Sequence, residues 1–140
     1  MTSYLLDTNH AAYIMHSGER LKHLLTQHIK ADSHFFISVT ILSELYFAAY
    51  ASRRREHNLQ NILRLLNNIP VLMFDLAVAE ECGRIKAELK AKGRPIPGTD
   101  AQIAAIARLH NLTVLTADRH FSYVDNLKVE NWLQSPLIKK

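Results

Sequence analysis

Four acidic side chains in this chain stand at positions that ordinary surface charges avoid. Each follows an apolar strand pattern or lies on the apolar flank of a helical pattern, and they are Asp7, Glu44, Asp100 and Asp118. Carboxylates that share a partly dry site are tolerated when a divalent cation neutralises them, and oxygen ligands suit Mg²⁺ and Mn²⁺. The pattern therefore predicts an acidic metal site. The chemistry that it indicates is hydrolysis of phosphodiester bonds.

Two of these acids come directly after short apolar strand patterns. Asp7 closes the run Tyr4 to Leu6, and Asp118 follows the run Thr113 to Thr116. Open α/β sheets bind their ligands outside the carboxyl ends of the strands. If the two strands are neighbours, about 4.8 Å apart, both carboxylates face one crevice. The alternative is that each acid only caps the helix or turn that follows it.

The other two acids lie on helical patterns. Asp100 begins a helix whose apolar stripe, at Ile103, Ala104 and Ala107, lies on the same face, whereas a purely structural Asp beside Thr99 would serve the helix dipole. Glu44 has apolar residues around it on its own helix, although a long Glu can also reach water from the edge of such a stripe. Two carboxylates roughly 5 Å apart repel by about 3 kcal/mol at an effective dielectric of about 20, so convergence would favour a bound cation.

Short apolar runs alternate with helical patterns along the chain, which favours an α/β fold with a mostly parallel sheet of about five strands flanked by helices. The predicted strands are Ser3–Leu6, His34–Ser38, Val71–Phe74, Thr113–Leu115 and Leu127–Val129. The predicted helices are Asn9–His16, Glu19–Lys30, Val39–Ser52, Arg54–Asn68, Leu76–Ala91 and Thr99–His110, the last with Thr99 as its N-cap. We expect a single domain over residues 1–134 and a short basic tail over residues 135–140.

Composition sets broad limits on the function. The 140 residues are 48% hydrophobic, enough for one core without disulfides, and the single cysteine, Cys82, fits a small core position. There are 17 basic and 13 acidic residues, so a basic body around an acidic site suits a polyanion, although many soluble domains are mildly basic. The N-terminus lacks the pattern of a secretory signal and no apolar run could span a membrane, so we expect a cytoplasmic protein that does not use a membrane.

An ordered set of short motifs covers nearly all of the chain up to Trp132. The motifs are Leu5-Leu6-Asp7-Thr8-Asn9, Ser43-Glu44-Leu45, Pro95-Ile96-Pro97 followed by Asp100 and Ile103-Ala104-Ala105, Thr116-Ala117-Asp118, and Val129-Glu130-Asn131-Trp132. In this order they resemble PIN-domain ribonucleases, and most of all the VapC-like toxins of type II toxin–antitoxin pairs. The resemblance implies a PIN-like three-layer sandwich and a metal-dependent endoribonuclease.

The resemblance also implies roles for individual residues. Asp7 and Asp100 would be Mg²⁺ ligands, with Mn²⁺ as a substitute, Glu44 would complete the acidic cluster, and Asp118 would help to bind a second metal. Asn9 and Thr116 would support them. The implied mechanism is in-line attack of an activated water on an RNA phosphodiester, without a covalent enzyme intermediate. The implied partners are an RNA substrate, a small antitoxin protein and a second copy of the chain.

Further residues are candidates for contacts with these partners. Lys86, Arg94 and Arg119 could hold the RNA backbone, or be ordinary solvated side chains, as is expected of Arg53 to Arg55. The aromatic residues Tyr46, Phe47 and Tyr50 could bind a partner helix, pack in a homodimer or lie in the core. None of the eight histidines forms a zinc signature, and a turn role is favoured for His120, with substrate contact as the alternative.

Three rival functions remain open from the sequence. A PIN nuclease of RNA maturation would use the same site. A binding module with the same fold but no catalysis is disfavoured by the presence of all four acids. A phosphatase with Asp7 as nucleophile is disfavoured because Asn9 stands where such an enzyme would need a second acid.

Overall fold

The computed structural model describes residues 2–16, 23, 26, 27 and 33–134. The strands are β1 (Ser3–Leu6), β2 (His34–Ser38), β3 (Val71–Leu72), β4 (Thr113–Leu115) and β5 (Lys128–Glu130). The helices are α1 (Thr8–His16), α2 (Val39–Tyr50), α3 (Arg55–Asn68), α4 (Leu76–Ala91) and α5 (Gly98–Leu109), with 3-10 helices at Arg119–Tyr123 and Trp132–Gln134. The tail over residues 135–140 lies outside the described residues, and so does the predicted helix Glu19–Lys30 apart from residues 23, 26 and 27.

Within the described residues, five strands form one parallel sheet in the order β3-β2-β1-β4-β5. In the centre, Leu5 lies opposite Phe36 on one side and Val114 on the other, and Leu6 lies opposite Leu115. The chain moves outward from β1 to β3 and then returns to the other side of β1, so the strand order reverses between β1 and β4. Such a reversal opens a crevice at the carboxyl ends of the two strands.

The core explains why the central strands read as continuous apolar runs. Leu5, Leu6, Ile37, Val114 and Leu115 are fully buried, because helices cover both faces of the sheet. The face of α5 that meets the core is rich in alanine, whose small side chain lets the helix approach closely, and its buried residues are Ala101, Ile103, Ala104, Ala105, Ile106 and Ala107. The predicted three-layer α/β fold is confirmed, and Cys82 is buried as predicted.

A buried charge network ties α4 to α5. Nε of Arg108 lies 2.6 Å from Oε2 of Glu81, and its Nη1 lies 3.0 Å from Oε2 of Glu88. The Arg108 side chain is 13% exposed and that of Glu81 is 10% exposed. Because α5 carries Asp100 in its first turn, this network helps to fix the helix that presents one of the candidate acids.

The element boundaries differ from the predictions in a few places. β3 ends at Leu72 rather than Phe74, because Met73 and Phe74 are exposed and leave the sheet. β5 begins and ends one residue later than predicted. Thr99 is not the N-cap of α5, since the helix already begins at Gly98 and Pro97 precedes it without a side-chain cap. In the described part of the chain, no helix has the length and apolar character that crossing a bilayer requires.

Candidate metal centre

The hydroxyl of Thr116 joins the carboxyl ends of β1 and β4. It donates a hydrogen bond to Oδ2 of Asp7 at 2.6 Å and accepts one from the backbone N–H of Asp118 at 3.0 Å. The backbone N–H of Asp7 donates to the carbonyl of Leu115 at 2.9 Å, which extends the strand pairing to the acid itself. Asp7 and Asp118 therefore stand at the ends of neighbouring strands, as the sequence prediction required.

Asp7 is a buried carboxyl group in an unfavourable electrostatic position. Burial raises the pKa of Asp7, and the negative charges of Glu44 and Asp118 raise it further. The hydrogen bonds from the hydroxyl of Thr116 and the backbone N–H of Thr8 act in the opposite direction, because they stabilise the ionised form. The two hydrogen bonds thus fix the position of the Asp7 carboxylate. A bound cation would stabilise its negative charge.

Helix α2 brings Glu44 to the same place. The hydroxyl of Thr8, the residue after Asp7, donates a hydrogen bond to Oε2 of Glu44, and the Glu44 side chain is half-buried. Of the apolar residues that flank Glu44 on its helix, Ile41 is buried but Phe47, Ala48 and Ala51 are exposed, so this flank is not the buried stripe of the helix. The reason is the rotation of α2, whose core-facing residues are Ile41, Leu45 and Ala49.

Asp100 lies in the first turn of α5, directly above a buried stripe. The predicted stripe residues Ile103, Ala104 and Ala107 are all buried, and the Asp100 side chain is only 13% exposed. Burial first, and then the negative charge and the shared hydrogen bond of Asp118, raise the pKa of Asp100 to about 6. The charge of Asp7 adds to this effect and that of His120 opposes it.

Asp118 combines the two roles that the sequence left open. Its Oδ1 accepts a hydrogen bond from the backbone N–H of His120 at 2.9 Å and so caps the 3-10 helix Arg119–Tyr123. The same carboxylate lies beside Asp100, and one ligand atom each from Asp100, Asp118 and His120 lie within 4.8 Å of one another. Such a group could hold a metal ion.

His120 was not expected in this group. Among the described residues, no group of three or more carboxylates, imidazoles and thiols this close includes Asp7 or Glu44. Asp7 and Glu44 are therefore not part of the three-residue group, although the charge of Asp7 reaches Asp100 and that of Glu44 reaches Asp7. The sequence favoured a turn role for His120, and its position two residues after Asp118 was the one signal available.

Asn9 is held by a buried histidine. The backbone N–H of Trp132 donates to Nε2 of His10 at 3.1 Å, so the proton of the neutral ring must be on Nδ1, which lies 2.9 Å from Oδ1 of Asn9. Burial lowers the pKa of His10 to about 4, which keeps the ring neutral. The amide oxygen of Asn9 thereby accepts a hydrogen bond, and the NH₂ group of this exposed residue can still donate one.

The three basic side chains predicted to hold the RNA backbone differ in their contacts around the site. A Cβ placed on Gly98, two residues before Asp100, would lie 3.9 Å from Nζ of Lys86. The guanidinium of Arg94 stacks on the ring of Tyr123 at 4.8 Å, in the 3-10 helix that Asp118 caps. Arg119 is exposed, and so are Arg53 and Arg54, as expected for solvated side chains. Arg55 is also exposed, but its Nε donates to the carbonyl of Tyr50 at 3.3 Å.

The predicted aromatic group lies on the outer side of α2. Phe47 is 75% exposed and Tyr50 is 55% exposed, which excludes core burial for both. Tyr46 is partly buried, and its ring stacks on that of Tyr50 with 6.3 Å between centroids. A partner helix or a second copy of the chain remains the prediction for this surface.

The opposite end of the sheet holds a cavity of about 850 Å³. Its lining includes Ile14 near the end of α1, His34 at the start of β2 and Pro70 before β3. None of the four acids lines it, so the candidate chemistry and this cavity lie at different ends of the strands.

Comparisons with known proteins identify the family of this chain. The family model for the PIN domain matches residues 4–127. A protein named ribonuclease VapC2 from Haemophilus influenzae is 32% identical over 134 residues, covering 95% of this chain and 100% of that protein. A protein named tRNA(fMet)-specific endonuclease VapC from Shigella flexneri is 39% identical over 97 residues, covering 69% of this chain and 74% of that protein.

Solved structures agree with this result. The structure of VapBC2 from Rickettsia felis bound to a DNA fragment from their promoter matches with a TM-score of 0.86 and 26% identity, covering 94% of this chain and 99% of that chain. The structure of DNA-bound VapBC from Salmonella typhimurium matches with a TM-score of 0.85 and 29% identity, with the same coverage of 94% and 99%. Each match spans almost the whole of both chains.

Proposed function

The chain belongs to the PIN-domain family, and we propose that it is a metal-dependent endoribonuclease that acts as the toxin of a toxin–antitoxin pair. The observation that carries the proposal is the meeting of Asp7, Asp100 and Asp118 where the strand order reverses, in a chain that matches ribonuclease relatives over nearly its full length. Glu44 joins them through Thr8. The acids come from four separate parts of the chain. If each acid only capped its own helix, there would be no reason for them to lie together.

The residues fit a hard divalent cation, and we propose Mg²⁺ with Mn²⁺ as its substitute. Asp100, Asp118 and Asp7 supply oxygen ligands, Glu44 adds a fourth carboxylate beside Asp7, and Thr116 holds Asp7 in place. Burial, and then the neighbouring acids, raise the pKa of Asp7 and Asp100, so a cation would stabilise their ionised forms. When bound, such a cation activates water and stabilises negative charge on the phosphate. Because the pKa of Asp100 is raised to about 6, its carboxyl group is largely ionised at neutral pH, whereas in mild acid it carries a proton that competes with the cation.

The surroundings of the acids suit an RNA backbone. Lys86 lies near the first turn of α5, and Arg94 is held over Tyr123, in the 3-10 helix that Asp118 caps. Both can neutralise phosphates that flank the scissile bond. The NH₂ group of Asn9 can donate to a phosphate oxygen, since its amide oxygen already accepts from His10. These roles position the substrate, while the acids carry the chemistry.

The names of the relatives suggest the substrate and the partner. The Shigella flexneri relative is named for tRNA(fMet), and the two solved structures are of VapBC complexes. We extend both to this chain: the substrate is a structured RNA of the tRNA class, and a small antitoxin protein controls the enzyme. The exposed residues Phe47 and Tyr50 are the surface that we assign to the antitoxin.

Cleavage assays with matched variants test the proposal. Purified protein is incubated with initiator tRNA and an elongator tRNA, with EDTA, Mg²⁺ or Mn²⁺, beside Asp7→Asn and Asp125→Asn. We expect metal-dependent cleavage that falls at least about a hundredfold in Asp7→Asn, because several kcal/mol of transition-state stabilisation is lost. Asp125 is 64% exposed and pairs with Lys92, so its variant should cleave normally. Equal cleavage by all three proteins would reveal a contaminating nuclease and defeat the site assignment.

The role of Lys86 has its own test. Lys86→Gln should weaken RNA binding for every sequence and reduce the salt dependence of the affinity by about one charge. Lys128→Gln, at an exposed position on β5, is the matched control. Fluorescence anisotropy with labelled RNA in EDTA measures binding without cleavage. An unchanged salt slope in Lys86→Gln would show that this side chain is only solvated surface.

A further inference from the structure

One nitrogen atom in the acidic site has no hydrogen bond. The His120 side chain is 43% exposed as a whole, yet its Nδ1 is buried. This atom lies 3.0 Å from Oδ1 of Asp118 and 3.4 Å from Oδ2 of Asp100, and it makes no hydrogen bond with any described residue. The exposed part of the ring faces solvent, so the ring directs its buried nitrogen toward the two carboxylates.

A cation shared by the three side chains would explain why Nδ1 of His120 faces the two carboxylates. When Nδ1 carries no proton, it and the carboxylate oxygens all present lone pairs, and they repel one another at these distances unless a cation lies between them. Octahedral coordination with metal–ligand distances of about 2.0–2.1 Å places neighbouring ligand atoms about 3 Å apart. The 3.0 Å distance from Nδ1 to Asp118 matches that edge length, and the 3.4 Å distance to Asp100 is slightly longer than it.

The orientation of the ring is fixed by its surroundings. The capping contact of Asp118 holds the backbone of His120, and Phe121, the next residue, is fully buried. The edge of the Tyr123 ring meets the His120 ring with 6.0 Å between centroids. Arg94 stacks on Tyr123 in turn. The nitrogen is therefore held in place before any ion binds, as a good ligand should be.

We infer that Nδ1 of His120 is a protein ligand, together with the carboxylates of Asp100 and Asp118, of the cation that the proposed function requires. The inference rests on that function and adds a property to it. Imidazole binds transition metals well and Mg²⁺ poorly, whereas carboxylates accept both. A site with one imidazole ligand therefore favours Mn²⁺ over Mg²⁺ more strongly than a site made of carboxylates alone.

Pulsed EPR of bound Mn²⁺ tests the ligand directly, because it detects a nitrogen nucleus attached to the ion. The wild-type protein loaded with Mn²⁺ should show this coupling, and ¹⁵N-histidine labelling should change its frequency. His120→Asn, which puts an amide near the place of Nδ1, should lose the coupling. His110→Asn should keep it, since His110 is exposed and caps the far end of α5, about 15 Å of helix away from Asp100.

Calorimetric titrations with Mn²⁺ and Mg²⁺ test the selectivity. The preference for Mn²⁺ over Mg²⁺ should fall by about tenfold or more in His120→Asn and should stay unchanged in His110→Asn. If His120 had only a structural role, its substitution would weaken the binding of both ions by the same factor. That equal loss would overturn the inference.

An additional variant separates this inference from the proposed function. Asp100→Asn should abolish Mn²⁺ binding at the site. If Mn²⁺ binding depends on Asp100 but wild-type protein shows no nitrogen coupling, the inference is overturned and the carboxylate metal site stands. If Mn²⁺ binding does not depend on Asp100, the proposed metal site itself is wrong. The wild-type spectrum decides the first case even if a variant at position 120 fails to fold.

Discussion

Removal of the Asp100 charge should make the metal-free protein more stable. Burial and the neighbouring Asp118 raise the pKa of Asp100 from 3.8 to about 6. At pH 7.5 the folded chain must nevertheless keep this carboxyl ionised, at a cost of up to about 3 kcal/mol relative to the unfolded chain. We expect Asp100→Asn to increase the free energy of unfolding by about 1–3 kcal/mol, since the new amide recovers only part of the hydrogen bonding. For a domain of this size, the melting temperature should rise by about 3–10 °C.

The effect should depend on pH in a defined direction. Because the pKa of Asp100 is higher in the folded than in the unfolded chain, the folded state binds the extra proton between about pH 4 and 6. The wild type thus gains stability as the pH falls through this window, and the advantage of Asp100→Asn disappears below about pH 4. Burial lowers the pKa of His10 to about 4, which gives the opposite trend, with stability lost as the pH falls below 6.5. Wild type and variant share His10, so their difference isolates Asp100.

Thermal unfolding in EDTA, followed by circular dichroism at pH 7.5 and pH 4, measures this difference. Asp125→Asn is the control, because its exposed ion pair with Lys92 should contribute less than about 1 kcal/mol. Millimolar Mn²⁺ should raise the melting temperature of the wild type at pH 7.5 but not that of Asp100→Asn. A variant that melts at or below the wild-type temperature at pH 7.5, or that keeps its advantage at pH 4, would refute the reasoning.

Two other substitutions test how the site is held. Thr116→Val removes the hydroxyl that donates to Asp7, so the pKa of Asp7 should rise, metal binding should require a higher pH, and the Mn²⁺ dissociation constant should increase about 10- to 150-fold by calorimetry. Thr116→Ser keeps the hydroxyl, and an equal loss there would contradict this account. Arg108→Ala leaves Glu81 buried without its main partner and should cost about 3–5 kcal/mol in urea unfolding, whereas Arg84→Ala, at a 57% exposed position, should cost under about 1 kcal/mol. Similar small losses in both arginine variants would show that the buried network is not what holds α5.

The sequence was sufficient to predict the five strands and five α-helices of the described residues, but not the order of the strands in the sheet. The strands β1, β2 and β4 are recognisable as apolar runs because they are largely buried, whereas the outer strands β3 and β5 are only partly buried and their predicted bounds were wrong. The helix Leu76–Ala91 was predicted to the residue. The sequence could predict that Asp7 and Asp118 follow strands, but only conditionally that they meet. Their meeting depends on the pairing of Leu6 with Leu115, which is a property of the sheet order and not of either segment.

Contacts between distant helices and turns were beyond the reach of pattern analysis. Arg108 and Glu81 are 27 residues apart, and nothing in either helical pattern marks them as a buried pair. The sequence did not show which face of α2 is buried, since the apolar residues around Glu44 are mostly exposed and the helix buries a neighbouring stripe instead. His120 entered the acidic group only through the turn of the 3-10 helix, which brings its ring back over Asp118.

Capping and metal binding, which the sequence analysis treated as alternatives for the acids, are compatible in the structure. Asp118 caps a 3-10 helix with Oδ1, and Asp7 accepts from the backbone of Thr8 and from Thr116, so each carboxylate is fixed by the contacts that a structural role would predict. Those contacts are the means by which the ligand oxygens are held before a cation arrives. An asparagine at position 118 would keep the cap, since its side-chain oxygen accepts the same hydrogen bond, but it would lose the charge. The two roles are therefore separable by one substitution even though a single carboxylate performs both.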